Sequence, residues 1–151
     1  MDRYNTPEKV IKLITNGYSG VLCLHGDEDQ YPIAVPVSYV YYKDAIYMIS
    51  DKEGGKLDWI RQNPKAAFVI VRKDKPVPQF FTIEYESVIA KGTPKIIEDK
   101  ETLAEINQTF IQRFYSQFMH RSAYYREKVM ENCLVIRLDI EEMTGKSNEA
   151  E

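Results

Sequence analysis

Residues 32–42 read PIAVPVSYVYY, and residues 45–50 read AIYMIS after a two-residue turn at Lys43-Asp44. β-Branched and aromatic side chains dominate both stretches, so they predict two strands joined by a tight hairpin. A third apolar run, GVLCLH at residues 20–25, precedes them and is separated from them by an acidic turn. The three segments together predict an antiparallel meander near the start of the chain.

The rest of the chain extends this pattern with more strands and with helices. Further strands are predicted at 66–71, 80–94 and 134–141, and helices at 7–16, 57–63, 100–118 and 122–131. The charged stretch 73–78 contains two prolines and is predicted to be a loop. Six strands in meander order predict an α+β fold whose mainly antiparallel sheet curls into a barrel. No G-x-G-x-x-G follows a strand, which disfavours a dinucleotide-binding fold.

Length and charge limit the class of protein. The 151 residues carry 20 Lys+Arg against 23 Asp+Glu, a net charge of −3, without a basic block for nucleic acid. No apolar run approaches the ~20 residues of a membrane span, and because residues 1–5 are polar we expect no signal sequence there. Cys23 and Cys133 lie in apolar runs and are predicted to be reduced, which favours the cytoplasm. We expect one domain at 1–143 and a polar tail at 144–151.

The segment from Ser50 to Lys56, SDKEGGK, has features of a phosphate site. A predicted strand ends there, and two glycines allow the backbone to approach a phosphate closely. Lys56 stands at the start of a predicted helix and contributes a positive charge. Asp51 and Glu53 argue the other way, because carboxylates repel phosphate. A plain acidic turn before the helix is therefore the alternative interpretation.

Pro36 interrupts the second strand, and proline cannot donate to a strand ladder. The backbone groups of Val37 and Ser38 could then face the edge of a flat heterocycle. The alternative is that Pro36 only protects a sheet edge from aggregation.

No catalytic residue can be assigned from the sequence. His25 and His120 have no partners at metal-ligand spacing, and no nucleophile motif is present. We predict no metal site, and a bound cofactor would have to carry any redox chemistry. The aromatic stripe Phe110, Phe114, Tyr115 and Phe118 on a predicted helix could be core or ligand box.

Four segments in order resemble one known family. They are PIAVPVSYVY at 32–41, IYMISDKEGGKLD at 46–58, FTIEYESVIAKG at 81–92 and MTGK at 143–146. This set resembles the FMN-binding split-barrel proteins related to pyridoxamine 5′-phosphate oxidase, in particular the nitroimidazole-resistance-like branch. The similarity covers nearly the whole chain.

The resemblance implies a six-stranded FMN-binding split barrel with peripheral helices, which dimerises with one FMN in each of two clefts between subunits. By analogy, Lys56 and Ser50 would hold the phosphate, and Pro36, Val37 and Ser38 would lie along the isoalloxazine. The remaining cofactor-binding candidates are Ile49, Tyr85 and Ser87, and the resemblance allows the last two to come from the partner subunit. The branch usually has histidine at the position of Ile49 and a small residue at that of Asp51.

The function expected from this resemblance is an FMN-dependent oxidoreductase. It would pass electrons from a reduced nicotinamide or a similar donor to a small organic acceptor. The alternative is a non-catalytic flavin- or haem-binding or sensing module on the same dimer, and a third possibility is a dimer with a degenerate cleft. Haem and deazaflavin are the other cofactors that such barrels bind.

Overall fold

The computed structural model describes residues 4–150. Its helices are α1 (Pro7–Asn16), α2 (Gly55–Gln62), α3 (Lys100–Phe114) and α4 (Ala123–Asn132). Its strands are β1 (Ser19–Leu24), β2 (Ile33–Ser38), β3 (Val40–Tyr42), β4 (Ala45–Asp51), β5 (Ala66–Val77), β6 (Thr82–Ile97) and β7 (Cys133–Asn148). Short 3₁₀ segments lie at Pro78–Phe80 and Ser116–Arg121.

The strands form one curled antiparallel sheet in the order β2-β1-β5-β6-β7-β4-β3. The two edge strands, β2 and β3, follow each other in the chain and are separated by Tyr39 alone. The sheet therefore curls until its edges meet at one bent segment. The α+β split-barrel prediction is confirmed, with seven strands instead of six, because residues 32–42 contribute to both edges.

Tyr39 marks the bend between the two edge strands. Its backbone N–H donates to the carbonyl of Tyr18 at 3.1 Å, outside any strand pairing. Its ring is fully buried and packs edge-on against Phe68, with ring centroids 5.1 Å apart. The buried tyrosine turns the chain from one edge of the sheet to the other.

The predicted hairpin turn between the next two strands is confirmed. Lys43 and Asp44 have φ values of 47° and 62°, and Tyr42 pairs with Ala45 across the turn. Two successive positive φ angles are typical of a type I′ turn, whose twist matches that of the flanking strands.

Two apolar clusters hold the fold together. The barrel interior is lined by alternate residues of the strands: Leu22, Leu24, Ile46, Met48, Phe68, Ile70, Val88, Ala90, Leu134, Ile136 and Leu138. Helices α1 and α2 pack against this interior through Val10, Ile14, Leu57 and Ile60. The second cluster lies outside the barrel, where α3 and α4 pack against β3, β4 and β7. The other strands present their outer faces without this helical layer.

Helix α1 forms where the sequence predicts it. The Thr6 side chain accepts a hydrogen bond from the N–H of Lys9, and Pro7 occupies the first helical position. The Thr6 side chain satisfies one of the unpaired amides of the helix start, and proline has no N–H that would be left unpaired there. The helix ends before Gly17, as expected.

The prediction of a loop at 73–78 is wrong, because β5 continues as a strand to Val77. Its last residues pair with β6 from Lys73↔Glu86 to Val77↔Thr82, past a bulge at Arg72. Strand β1 pairs with β5 only as far as Val69. On that side of Pro76 no strand therefore requires the backbone N–H that proline lacks.

Two boundaries near the C-terminus also differ from the expectation. Helix α3 ends at Phe114 instead of residue 118, and a 3₁₀ segment follows it. Residues 144–148, expected in a polar tail, form the end of β7 because they pair with Tyr85–Ile89 of β6. Cys23 and Cys133 are free, half-buried thiols. Within the described residues, no helix combines the length and apolar composition that crossing a membrane requires.

Candidate functional site

The end of β4 positions the first candidate residue, Ser50. This serine is 4% exposed, and its hydroxyl donates to the carbonyl of Asp51 at 3.0 Å. Strand alternation turns Ser50 to the same side as Met48, which lies in the barrel interior. Ser50 is thus held at the inner side of the sheet, where its strand runs out towards α2.

The start of α2 is the most open part of the site. Gly54, the residue before the helix, has a φ of 146°, which a side chain rarely tolerates. No side chain within residues 4–150 caps this terminus, and a Cβ at Gly54 or Gly55 would meet nothing within 4 Å. The helix start therefore lacks a side-chain cap and has open space beside its glycines, and half-buried Lys56 adds a positive charge there.

Lys52 fixes the loop between β4 and α2 to the end of α4. Its backbone N–H donates to the carbonyl of Asn132 at 3.1 Å, and its Nζ to the carbonyl of Glu131 at 2.9 Å. A polar cavity of about 610 Å³ lies here, lined by Asp51, Lys52, Glu53, Glu131 and Asn132. Lys52 is committed to the end of α4, so Lys56 is the lysine of this loop region available to an anion.

Asp51 remains exposed at the end of β4 and lies against Cys133, with 3.9 Å between the thiol sulfur and the carboxylate. Burial, and secondarily the charge of Asp51, raises the pKa of the Cys133 thiol. Asp51 lies opposite Cys133 across β4 and β7, so its carboxylate is on the other side of β4 from the Ser50 side chain.

Strand β2 carries the candidates Pro36, Val37 and Ser38. The side chains of Pro36 and Ser38 are exposed, whereas that of Val37 is half-buried and packs against the barrel core. β2 is an edge strand, paired only with β1, which is where a strand proline is tolerated. A ligand on the outer face can contact the side chains of Pro36 and Ser38, but only the backbone of Val37.

Ile49 faces away from the barrel interior. It is half-buried and packs against the cluster formed by α3 and α4. The residue that replaces the branch's usual histidine therefore lies on the opposite side of β4 from Ser50.

Tyr85 and Ser87 are half-buried on β6, far along the sheet from Ser50 and Lys56 of the same chain. Ser50 lies opposite Leu134 in β7, and the next β7 residue, Val135, lies opposite Ile97 in β6. Ile97 is ten residues from Ser87, which corresponds to roughly 33 Å of strand. One chain therefore does not bring Ser87 to Ser50 and Lys56.

Tyr85 and Ser87 instead belong to an exposed outer face of the sheet. Pro36, Val21, Val69 and Ile89 lie in register across β2, β1, β5 and β6, so their side chains share one face. Ser87 and Tyr85 follow Ile89 at alternate positions on the same side.

Apolar side chains that the sequence analysis did not single out extend this face. Val71, Ile83 and Ile89 are 59%, 50% and 41% exposed. The signal in the sequence was Ile83, Tyr85 and Ile89 at odd positions of one strand, but without the sheet it could not be assigned to a solvent-facing side.

Comparison with known proteins identifies the family. The sequence model of the pyridoxamine 5′-phosphate oxidase family matches residues 6–147. None of the curated proteins gives a significant match.

Three solved structures illustrate the shared fold. A provisionally assigned 5-nitroimidazole antibiotic resistance protein from Bacteroides thetaiotaomicron is 22% identical, with a TM-score of 0.78 over 98% of this chain and 90% of its own. An FAD- and haem-binding protein from Mycobacterium smegmatis is 18% identical, with a TM-score of 0.78 over 99% and 75% of the two chains. An FAD-binding protein from Mesorhizobium loti is 18% identical, with a TM-score of 0.69 over 97% and 98%.

At these identities the structural likeness concerns the fold, whereas the family match spans nearly the whole sequence. The chain belongs to the pyridoxamine 5′-phosphate oxidase family.

Proposed function

We propose that this protein is an FMN-dependent oxidoreductase that works as a homodimer, with one FMN in each cleft between the subunits. Its electrons would come from a reduced nicotinamide or a similar donor and pass to a small organic acceptor. The observation that carries this proposal is the open, uncapped start of α2 with Lys56 beside it.

The phosphate of FMN fits the chemistry of this helix start. The amides of Gly55 and Lys56 can donate to phosphate oxygens, and the Lys56 ammonium adds a charge-assisted contact. Ser50 can contribute its hydroxyl if it exchanges the present bond to the Asp51 carbonyl for one to the phosphate. Asp51 and Glu53 are expected to lower the affinity without closing the site, because both carboxylates are exposed to solvent.

The isoalloxazine ring is proposed to lie along the outer side of β2, against Pro36 and Ser38. Tyr85 and Ser87 are proposed to reach the cofactor from a second copy of the chain, because roughly 33 Å of strand separates Ser87 from the neighbourhood of Ser50, where the phosphate would lie. The exposed side chains of Val71, Ile83 and Ile89 surround these two residues and supply apolar surface for that contact.

When bound, FMN supplies the redox chemistry of the reaction. The chain's own contribution is to bind and orient: Lys56 and the α2 amides hold the phosphate, and the β2 edge fixes the ring plane. No side-chain acid or base is assigned to the reaction.

A flavin- or haem-binding module without turnover is the second candidate. It is favoured by Ile49, which places an aliphatic side chain where the related branch usually has histidine. The FAD- and haem-binding protein of similar fold supports testing both cofactors on this chain.

The phosphate assignment is tested by titrating the purified protein with FMN and with riboflavin, which lacks the phosphate. Lys56→Gln is expected to weaken FMN binding about tenfold and to leave riboflavin binding unchanged. Lys65→Gln, a nearby exposed lysine beyond α2, is the matched control and should change neither. Equal losses for the two ligands, or no uptake of FMN, would contradict the site; uptake of haem alone would favour the second candidate.

The intersubunit cleft is tested by complementation. Lys56→Gln should weaken FMN binding about tenfold in its own homodimer, and Ser87→Trp should weaken it at least as much. A mixed dimer of the two variants should regain one tight site, because one cleft then combines native Lys56 with native Ser87 of the partner. A site built within one chain would show no recovery.

Catalysis is a separate measurement. Steady-state oxidation of NADPH or NADH by the FMN-loaded protein, with quinone and nitroaromatic acceptors, should exceed the rate with free FMN. A rate equal to that of free FMN would favour the binding module.

A further inference from the structure

A cavity of about 340 Å³ lies between the end of α3 and the start of α4, away from the residues proposed to hold FMN. It is lined by Ile111, Tyr115, Phe118, Arg121, Ser122 and Tyr125. Its floor is apolar, because Ile111 is 1% exposed and belongs to the end of the buried stripe of α3. The volume is at the lower end of the range for small-molecule sites, which suits one or two fused rings.

Aromatic rings form the walls of this cavity. Tyr115 and Tyr125 meet edge-to-face, with centroids 6.2 Å apart, and Phe118 lies on the intervening 3₁₀ segment. Tyr115, Phe118 and Tyr125 are 49%, 53% and 39% exposed, so each ring keeps a face open to solvent. Such rings can stack on or meet edge-on the ring of a planar ligand.

Arg121 is the one charged side chain that lines this cavity. Its guanidinium carbon lies 5.2 Å from the centre of the Phe118 ring, which holds the group at the cavity wall. Within residues 4–150, no carboxylate forms a salt bridge with Arg121. Its planar fork of donors therefore remains available for a planar anion.

The other polar groups of the wall are either occupied or neutral. The Ser122 hydroxyl donates to the carbonyl of Met119 at 2.7 Å and accepts from the Nε of Arg126 at 2.9 Å. Burial raises the pKa of Tyr125, so its hydroxyl stays protonated and can donate. The cavity thus combines apolar walls with a single unpaired cation.

We propose that this cavity binds a planar aromatic carboxylate, with the ring among Tyr115, Phe118 and Tyr125 and the carboxylate on Arg121. A strongly hydrated ion such as free phosphate is disfavoured by the apolar walls, and a neutral ring would leave Arg121 unused. The proposal does not rest on the flavin function, since none of these residues belongs to the proposed FMN site.

The test uses 2-naphthoate as the probe and 2-naphthamide as its neutral counterpart, both titrated calorimetrically into the full-length protein. The wild type should bind 2-naphthoate about tenfold more tightly than 2-naphthamide, as expected for one charge-assisted contact. Arg121→Gln should remove this preference and leave the affinity for 2-naphthamide within about twofold.

Lys128→Gln is the matched control, because Lys128 lies over the ring of Tyr124 at 5.4 Å but outside the cavity. It should preserve the preference for 2-naphthoate, as should Phe81→Ala, which removes an exposed ring at a distant turn. Circular dichroism melting checks that each variant is folded. Contacts between the naphthoate protons and the rings of Tyr115 and Tyr125 in NMR spectra should locate the probe.

Several results would overturn the proposal. One is saturable binding of neither probe, and another is equal affinity for both in the wild type. A loss of preference in Lys128→Gln as large as in Arg121→Gln would show a nonspecific charge effect. Naphthoate binding that appears only with FMN present would assign it to the flavin cleft.

Discussion

The Tyr39 hydroxyl donates a 2.6 Å hydrogen bond to the backbone carbonyl of Ile14. That carbonyl belongs to the last turn of α1, where carbonyls have no partner within the helix. Both residues are fully buried, so water does not replace the bond. A single side chain therefore completes the end of α1 and fixes the bend at which the two edges of the sheet meet.

Tyr39→Phe should destabilise the fold by about 1–3 kcal/mol, because it leaves the buried Ile14 carbonyl without a donor. Urea denaturation measures the change in the free energy of unfolding. Tyr42→Phe is the matched control, since the Tyr42 hydroxyl bonds Glu105 at 2.6 Å on the exposed surface. The control should lose much less stability, and equal losses would contradict the importance of the buried bond.

Stability should also fall at high pH because of Tyr39. Burial raises the pKa of this phenol well above its ordinary value near 10, against the opposing charges of Arg72 and Arg113. The stabilisation is complete at pH values below the pKa that this phenol has in the unfolded chain. It declines as pH rises above about 10, because the phenol then ionises in the unfolded chain but not in the folded one. Melting temperatures between pH 9 and 11 should fall less steeply in Tyr39→Phe, and identical slopes would refute this coupling.

Gly17→Ala should destabilise the protein by about 1–3 kcal/mol. An added Cβ would overlap the hydroxyl oxygen of Tyr39, and the buried ring cannot move without losing its bond to Ile14. Gly55→Ala is the control, because a Cβ there meets nothing within 4 Å. Thermal unfolding should show a clear loss for the first variant and a change of less than about 1 kcal/mol for the second.

Phe81→Gly should stabilise the isolated chain by about 1 kcal/mol relative to Phe81→Ala. Phe81 has a φ of 52° and is 98% exposed, so its side chain strains the backbone without burying apolar surface. Alanine keeps the Cβ and its strain, whereas glycine removes both. Urea denaturation at low protein concentration measures the difference, and a loss of stability in both variants would mean that the ring is covered by another molecule.

Local signals in the sequence were sufficient to predict several structural elements. Thr6, Pro7 and Gly17 delimit α1, since capping chemistry acts within one helical turn. The turn at Lys43-Asp44 was predictable from its place between two β-rich runs. The family could also be recognised at this level, because its motifs are contiguous in the chain.

Pairing between strands that lie far apart in the chain explains the two segments that were predicted wrongly from the sequence. Pro76 and the charges around it suggested a loop, but pairing with β6 makes residues 73–77 a strand. Residues 144–148 look like a tail until β6 supplies a neighbour. In both cases the partner strand satisfies backbone groups that local composition would leave to solvent.

The candidate site also has one part that was predictable from the sequence and another that was not. The sequence by itself determined which residues are proposed to bind the phosphate, because Ser50, the glycines and Lys56 lie within seven residues around one helix start. Only the tertiary structure decided that Tyr85 and Ser87 lie on a distant outer face, while Val37 packs into the core. Which face a strand residue occupies, and what lies beside it, depends on register and on the closure of the sheet at Tyr39, and both arise from contacts between residues far apart in the chain.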